Sequence, residues 1–91
     1  VFLLAECLAE AGREAGLPAE LSDQLARATV AGAGELLHQS GDSSTRLREN
    51  VASPGGTTAA ALEVLMGRDG LQALMTKAAA AAVKRSRELA G

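Results

Sequence analysis

Hydrophobic and polar positions along the chain follow the periodicity of α-helices. Apolar residues recur three or four positions apart, which places them on one side of a helix. No segment alternates apolar and polar residues as a half-buried strand does. The pattern predicts an all-α protein of about five helices, over residues 1–15, 18–39, 44–50, 57–67 and 70–89.

Glycine and proline mark the predicted helix ends. We expect Gly16 to stop the first helix in the left-handed conformation that favours glycine, and Pro18 to open the second helix. Gly41 is expected to end the second helix, near which His38 is placed to cap free carbonyls. A side chain from residues 42–44 is expected to cap the third.

The apolar faces of the predicted helices consist mostly of leucine and alanine. Of 43 hydrophobic residues, 20 are alanine, so the larger side chains make only a thin core. Because a chain this short buries only about 60–65% of its unfolded surface, we expect it to borrow core from a partner. The predicted inward residues are Leu4, Leu8, Ala11 and Ala15, then Leu17, Leu21, Leu25, Ala28, Gly32 and Leu36, then Leu62, Leu65 and Met66, and last Leu71, Leu74, Met75, Ala78 and Ala82.

Three patches of small residues, 31–34, 59–61 and 78–82, allow close helix packing. Each glycine inside a helix costs about 1 kcal/mol relative to alanine, so a close crossing is needed to justify Gly32 and Gly34. An interface between subunits and tight packing within one chain both satisfy this requirement at the sequence level.

Charge and composition exclude several functions. Nine basic and eleven acidic residues give a net charge of −2, so nucleic acid is not an expected partner. No run of about 18 apolar residues predicts a membrane span. Cys7 is the only cysteine and His38 the only histidine, so we predict neither a disulfide nor a metal site. The single cysteine also favours a reducing, cytoplasmic location. The chain begins at Val1, which we interpret as a point inside a longer protein.

Residues 53–58, Ser-Pro-Gly-Gly-Thr-Thr, are the most informative segment. Two glycines and two hydroxyl groups lie where the fourth helix begins, and the free amides of a helix start attract a carboxylate or phosphate. The alternative is an ordinary helix start, capped by Ser53 and opened by Pro54. The spacing of a Walker phosphate loop is absent.

These residues resemble the C-terminal domain of the pyrroline-5-carboxylate reductase family over essentially the whole chain. The match includes Val51–Thr58, in which Ala52 departs from the Thr or Ser usual in the family, and its most specific part is Ser53–Thr57. The remaining matches are Leu47-x-x-Asn50, Arg85–Leu89, Leu3–Glu6, Ala11-Gly12, Gly16–Pro18 and Ala31–Ala33.

The resemblance implies a role in reducing 1-pyrroline-5-carboxylate to L-proline with NADPH or NADH. It implies that the amides of Gly56, Thr57 and Thr58 hold the substrate carboxylate. Thr58 would be the catalytic residue, with its hydroxyl near the ring nitrogen. Asn50, Ser53 and Gly55 would complete the substrate-binding loop.

The same resemblance implies an interlocked helical dimer over residues 1–91, like the C-terminal domain of 6-phosphogluconate dehydrogenase, often assembled into decamers. The family binds its nicotinamide on an N-terminal Rossmann domain, which these residues do not contain, so the chain alone is expected to be inactive. The alternative is a non-catalytic helical module that only forms homodimers.

Overall fold

The computed structural model describes residues 1–91 and contains five α-helices and no strand. The helices are α1 Phe2–Glu14, α2 Ala19–Gln39, α3 Ser44–Val51, α4 Thr57–Leu65 and α5 Leu71–Ala90. The predicted fold class, number and order of helices are confirmed, with ends displaced by one or two residues. The chain divides into two compact units, Val1–Leu47 (unit 1) and Arg48–Gly91 (unit 2).

The turn between α1 and α2 depends on a glycine. Gly16 has φ +107°, which confirms the predicted left-handed stop. The prediction that Pro18 is the first residue of α2 is wrong, because the ψ angle of Pro18, 143°, is extended. It instead precedes α2, and its carbonyl accepts the Ser22 amide at 2.9 Å.

The α2–α3 loop also differs from the prediction. The backbone becomes extended at Ser40, so α2 ends before Gly41. His38 makes no hydrogen bond to a carbonyl; instead the Ser40 amide donates to Leu36 at 2.9 Å. Of the three candidate caps, Ser43 accepts the Arg46 amide at 3.1 Å.

Unit 1 is held by close packing of small residues between α1 and α2. Ala9 and Ala26 are buried, and so is Ser22. The Ser22 hydroxyl donates to the Ala9 carbonyl at 2.5 Å. A Cβ on Gly12 would overlap the Ser22 side chain, so this glycine permits the close approach of the two helices.

The prediction that the leucines of unit 1 point inward is therefore wrong for contacts within the chain. The exposed fractions of Leu4, Leu8, Leu21 and Leu25 lie between 40% and 50%. Alanine, glycine and serine form the helix contact because they let the two backbones approach, which leaves the larger leucine side chains outside it.

Unit 2 encloses no core of its own. No residue of α4 or α5 is buried. The prediction that the apolar residues of these two helices point into a core within the chain is therefore wrong. A depression of 390 Å³ has an apolar lining along α4 and α5, with Arg48 and Gln72 at its edge. Its apolar lining residues are Leu62, Leu65, Met66, Leu71 and Met75.

The chain exposes 7581 Å² of surface, against about 4,900 Å² for a self-contained protein of this mass. Both units contribute to this excess, because unit 1 buries only Ala9, Ser22 and Ala26 and unit 2 buries no residue. Gly32 and Gly34 have no neighbouring atom within 4 Å of a Cβ position. Tight packing within the chain therefore does not explain these two glycines.

Candidate functional site

The backbone before α4 forms a tight turn that depends on two glycines. The Gly56 amide donates to the Ser53 carbonyl at 2.9 Å. Gly55 has φ +73°, a conformation that side chains with a Cβ disfavour. A Cβ on Gly56 would lie 3.1 Å from the Ser53 carbonyl oxygen. The turn thus brings the chain into α4 with little side-chain cover at the helix start.

No side chain caps α4. The N-cap residue is Gly56, with extended backbone and no side-chain hydrogen bond to the first turn. Pro54 lies in the turn and not in the helix. The alternative of a helix capped by Ser53 and opened by Pro54 is therefore wrong, because Ser53 takes part through its backbone carbonyl.

Three amides of the first turn of α4 have no acceptor within the chain. The first helical hydrogen bond joins the Ala60 amide to the Gly56 carbonyl at 3.1 Å. The amides of Thr57, Thr58 and Ala59 therefore remain free. Together with the partial positive charge of a helix N-terminus, they form a site that favours an anion.

This arrangement changes the set of donors expected from the sequence. The Gly56 amide is already bonded to Ser53, whereas the Ala59 amide is an additional free donor. Sequence reasoning missed Ala59 because alanine carries no polar side chain. Counting three residues inward from the N-cap would have found it.

The hydroxyl groups at the site are also unbonded. Thr57 is exposed and Thr58 half-buried, and neither hydroxyl is in a hydrogen bond within the chain. Asn50 is exposed in the last turn of α3, three residues before Ser53. The structure thus gathers the predicted site residues into one short segment of unit 2, with Asn50 on the preceding helix.

The first turn of α4 contains no acidic residue, so no carboxylate there repels a bound anion. A cavity of 340 Å³ beside the helix start is lined by Gly55, Gly56, Ala59, Ala60 and Glu63. Glu63 lies about 9 Å along the helix from Thr57, at 1.5 Å per residue. Salt screens charges over a similar distance, so the free amides dominate at the helix start.

The chain contains neither a candidate metal cluster nor a candidate membrane span. No group of three or more His, Cys, Asp or Glu side chains is arranged to hold a metal ion. None of the five helices combines the length and the apolar composition needed to cross a membrane.

Comparison with known proteins shows that this chain is similar to pyrroline-5-carboxylate reductases. A family model described as pyrroline-5-carboxylate reductase dimerisation matches residues 1–89. A pyrroline-5-carboxylate reductase of Glycine max is 44% identical over 89 residues, which cover 98% of this chain and 32% of that protein. One from Synechocystis is 39% identical, with 98% and 33% covered.

A solved structure is similar as well. The pyrroline carboxylate reductase of Plasmodium falciparum, crystallised with NADP bound, superposes with a TM-score of 0.92 at 32% identity. The match covers 99% of this chain and 36% of that one. The chain therefore spans about a third of the length of the relatives it matches.

Proposed function

We propose a function from the premise that this chain belongs to the pyrroline-5-carboxylate reductase family, whose dimerisation model matches residues 1–89. It forms the substrate-binding and dimerisation part of an enzyme that reduces 1-pyrroline-5-carboxylate to L-proline. The observation that carries this proposal is the uncapped start of α4, where three free amides meet two unbonded threonine hydroxyls.

The substrate carboxylate binds to the amides of Thr57, Thr58 and Ala59. Hydrogen bonds from uncharged donors to a carboxylate are stronger than those between two neutral groups. Gly55 and Gly56 keep the approach to these amides free of side chains, while Ser53 and Asn50 shape the turn. The bound carboxylate fixes the position of the ring, which is the main contribution a protein makes when a cofactor supplies the chemistry.

Thr58 is the proposed catalytic residue. A ligand anchored at the helix start lies beside its hydroxyl, which has no partner in the chain and is free to donate. This hydroxyl hydrogen-bonds the ring nitrogen and orients the imine. As the ring carbon accepts the hydride, negative charge develops on the ring nitrogen. The positive end of α4 and the Thr58 hydroxyl together stabilise this charge.

The nicotinamide cofactor, NADPH or NADH, supplies the hydride from outside these residues. Gly32-x-Gly34 lies inside α2, whereas a dinucleotide fingerprint needs a strand-to-helix turn and a third glycine. The 91 residues therefore do not fit a dinucleotide. A Rossmann domain elsewhere in the protein is the expected binder of the cofactor, and the chain alone is expected to be inactive.

The partner of this chain is a second copy of itself. Support comes from the exposed leucines of unit 1, the open core of unit 2 and the unoccupied space around Gly32 and Gly34. We propose an interlocked dimer that assembles further into decamers in the cytoplasm. A non-catalytic homodimerisation module is the second candidate, because the incomplete core would be equally well explained by it.

The test is an NAD(P)H oxidation assay on the complete natural protein with 1-pyrroline-5-carboxylate, and with the 91-residue chain as control. Activity in the complete protein and none in the chain supports the reductase function. A folded, dimeric complete protein without activity would leave only the homodimerisation module.

A further inference from the structure

The free amides at the start of α4 do not by themselves select one anion over another. The amides of Thr57, Thr58 and Ala59 have no acceptor within the chain, and backbone donors at a helix start bind carboxylates and phosphates alike. Discrimination against ligands with a second negative charge therefore requires another group at the site. The cavity beside these amides is lined by one charged residue, Glu63.

Glu63 lies on the side of α4 that borders this cavity. The other lining residues are Gly55, Gly56, Ala59 and Ala60, none of which has a side chain longer than a methyl group. Glu63 follows Ala59 by four residues, which places the two on one face of the helix, about 6 Å apart along its axis. Side chains of a helix lean toward its N-terminus, so the side chain of Glu63 starts in the direction of the free amides.

Contacts within the chain do not account for the charge of Glu63. It is the only charged residue of α4, and it lies in the second half of a helix that ends at Leu65, where a negative charge opposes the helix dipole. The last turn of α4 contains no basic residue. Glu63 forms no ion pair and no side-chain hydrogen bond. Its charge is thus uncompensated, and a ligand in the cavity is exposed to it.

The two ends of the cavity therefore differ in electrostatic character. The free amides attract a carboxylate at one end, and Glu63 repels an anion at the other. A five-carbon amino acid, with as many carbons as 1-pyrroline-5-carboxylate, extends about 5 Å from its carboxylate over four carbon–carbon bonds. This length is close to the distance of about 6 Å between Ala59 and Glu63 along the helix. When the carboxylate is bound to the amides, the far end of such a ligand lies in the part of the cavity that Glu63 lines.

We propose that Glu63 is a specificity-determining residue, which excludes ligands that carry a second negative charge at the end opposite their bound carboxylate. Acidic amino acids with the same number of carbons as the substrate are rejected, whereas a ring without negative charge is accepted. The proposal rests on the proposed function, because it requires the substrate carboxylate to bind at the start of α4. Glu63 takes no part in the hydride transfer itself.

Three amino acids with the same five-carbon chain test this role as competitive inhibitors of the complete natural protein. The chain of L-norvaline ends in a methyl group, that of L-glutamate in a carboxylate and that of L-ornithine in an ammonium group. In Glu63→Gln the inhibition constant of L-glutamate should fall by about three- to tenfold, as expected for a partly screened repulsion between unit charges near a protein surface. The constant of L-ornithine should rise by a similar factor, and that of L-norvaline should change by less than about twofold, because its far end is uncharged.

A charge reversal and a matched control separate this role from a change in net charge. Glu63→Lys should invert the order of the inhibitors, so that L-glutamate binds more tightly than L-norvaline. Asp69→Asn removes one negative charge from the turn between α4 and α5, outside the lining of the cavity. It should leave all three inhibition constants within about twofold of the wild type, since charges farther away are screened. Both positions are exposed, and circular dichroism verifies that each variant folds.

The outcomes distinguish this role from the proposed function. An equal ratio of the L-glutamate and L-norvaline constants in the wild type, Glu63→Gln and Glu63→Lys would overturn the role of Glu63 and leave the reductase function intact. A complete protein without reductase activity would overturn the proposed function. The same ratios, measured then as dissociation constants by isothermal titration calorimetry, still decide the role of Glu63. Absence of binding by all three amino acids would overturn the anion site on which this role depends.

Discussion

The packing of Gly12 against Ser22 predicts that two substitutions in unit 1 are strongly coupled. Gly12→Ala places a methyl group where the Ser22 hydroxyl lies, so the helices are pushed apart and the hydroxyl loses its hydrogen bond to the Ala9 carbonyl. Overpacking costs about 1–3 kcal/mol, and the lost hydrogen bond about 1 kcal/mol. The gain in helix propensity, about 1 kcal/mol, offsets part of this. We expect a net loss of about 1–3 kcal/mol.

Ser22→Ala removes the obstacle, since the nearest remaining atom is the Ser22 Cβ at 3.3 Å. Ser22→Ala alone should cost about 1 kcal/mol, the value of its hydrogen bond. In this background Gly12→Ala should be close to neutral, because the gain in helix propensity remains while the severe overlap is gone. The coupling between the two sites is then about 2 kcal/mol, well above the scatter of independent sites.

The assay is urea denaturation followed by circular dichroism at one fixed protein concentration, because association contributes to the measured stability. The four proteins of the cycle are the wild type, the two single variants and the double variant. An equal cost for Gly12→Ala in both backgrounds would refute the steric reasoning.

Three further predictions concern the site and the helix surfaces. Thr58→Ala in the complete enzyme should lower kcat/KM by about ten- to a thousandfold through loss of one transition-state hydrogen bond, while Thr58→Ser retains most activity; turnover of Thr58→Ala within twofold of the wild type would contradict its role. Gly55→Ala should destabilise the turn by about 1–2 kcal/mol because of its positive φ, and it should raise KM. An unchanged KM in steady-state kinetics would show that the turn does not position the carboxylate. Gly32→Ala should weaken the dimer in sedimentation experiments if α2 packs closely against a second copy; a dimer of unchanged affinity and raised thermal stability, from helix propensity alone, would show that this face is free.

Helix positions were predictable because local signals agree with one another. Gly16 has both the sequence context and the positive φ of a helix stop, and apolar spacing located all five helices. The ends moved where two residues competed for the same role. Pro18 suits the first helical position and the one before it, and local sequence does not decide between them.

Packing was less predictable, because leucine spacing identifies an apolar face without saying what covers it. The contact between α1 and α2 instead uses Ala9, Gly12, Ser22 and Ala26, which are inconspicuous in a hydrophobic pattern. At the site, the glycines and threonines were visible in the sequence. The division of amides into bonded and free was not, because it depends on which residue becomes the N-cap, and this is Gly56.

The nearly absent interior of the isolated chain has a kinetic consequence. In the proposed dimer, most apolar surface of each unit is covered only when a second molecule arrives, so the last step of folding would be a collision between two polypeptides. Refolding from denaturant should then follow second-order kinetics at low concentration, with a half-time that shortens in proportion as protein is added. A newly made subunit without a companion presents its leucines to proteases and chaperones, so the cellular lifetime of the polypeptide should depend on how quickly it meets another.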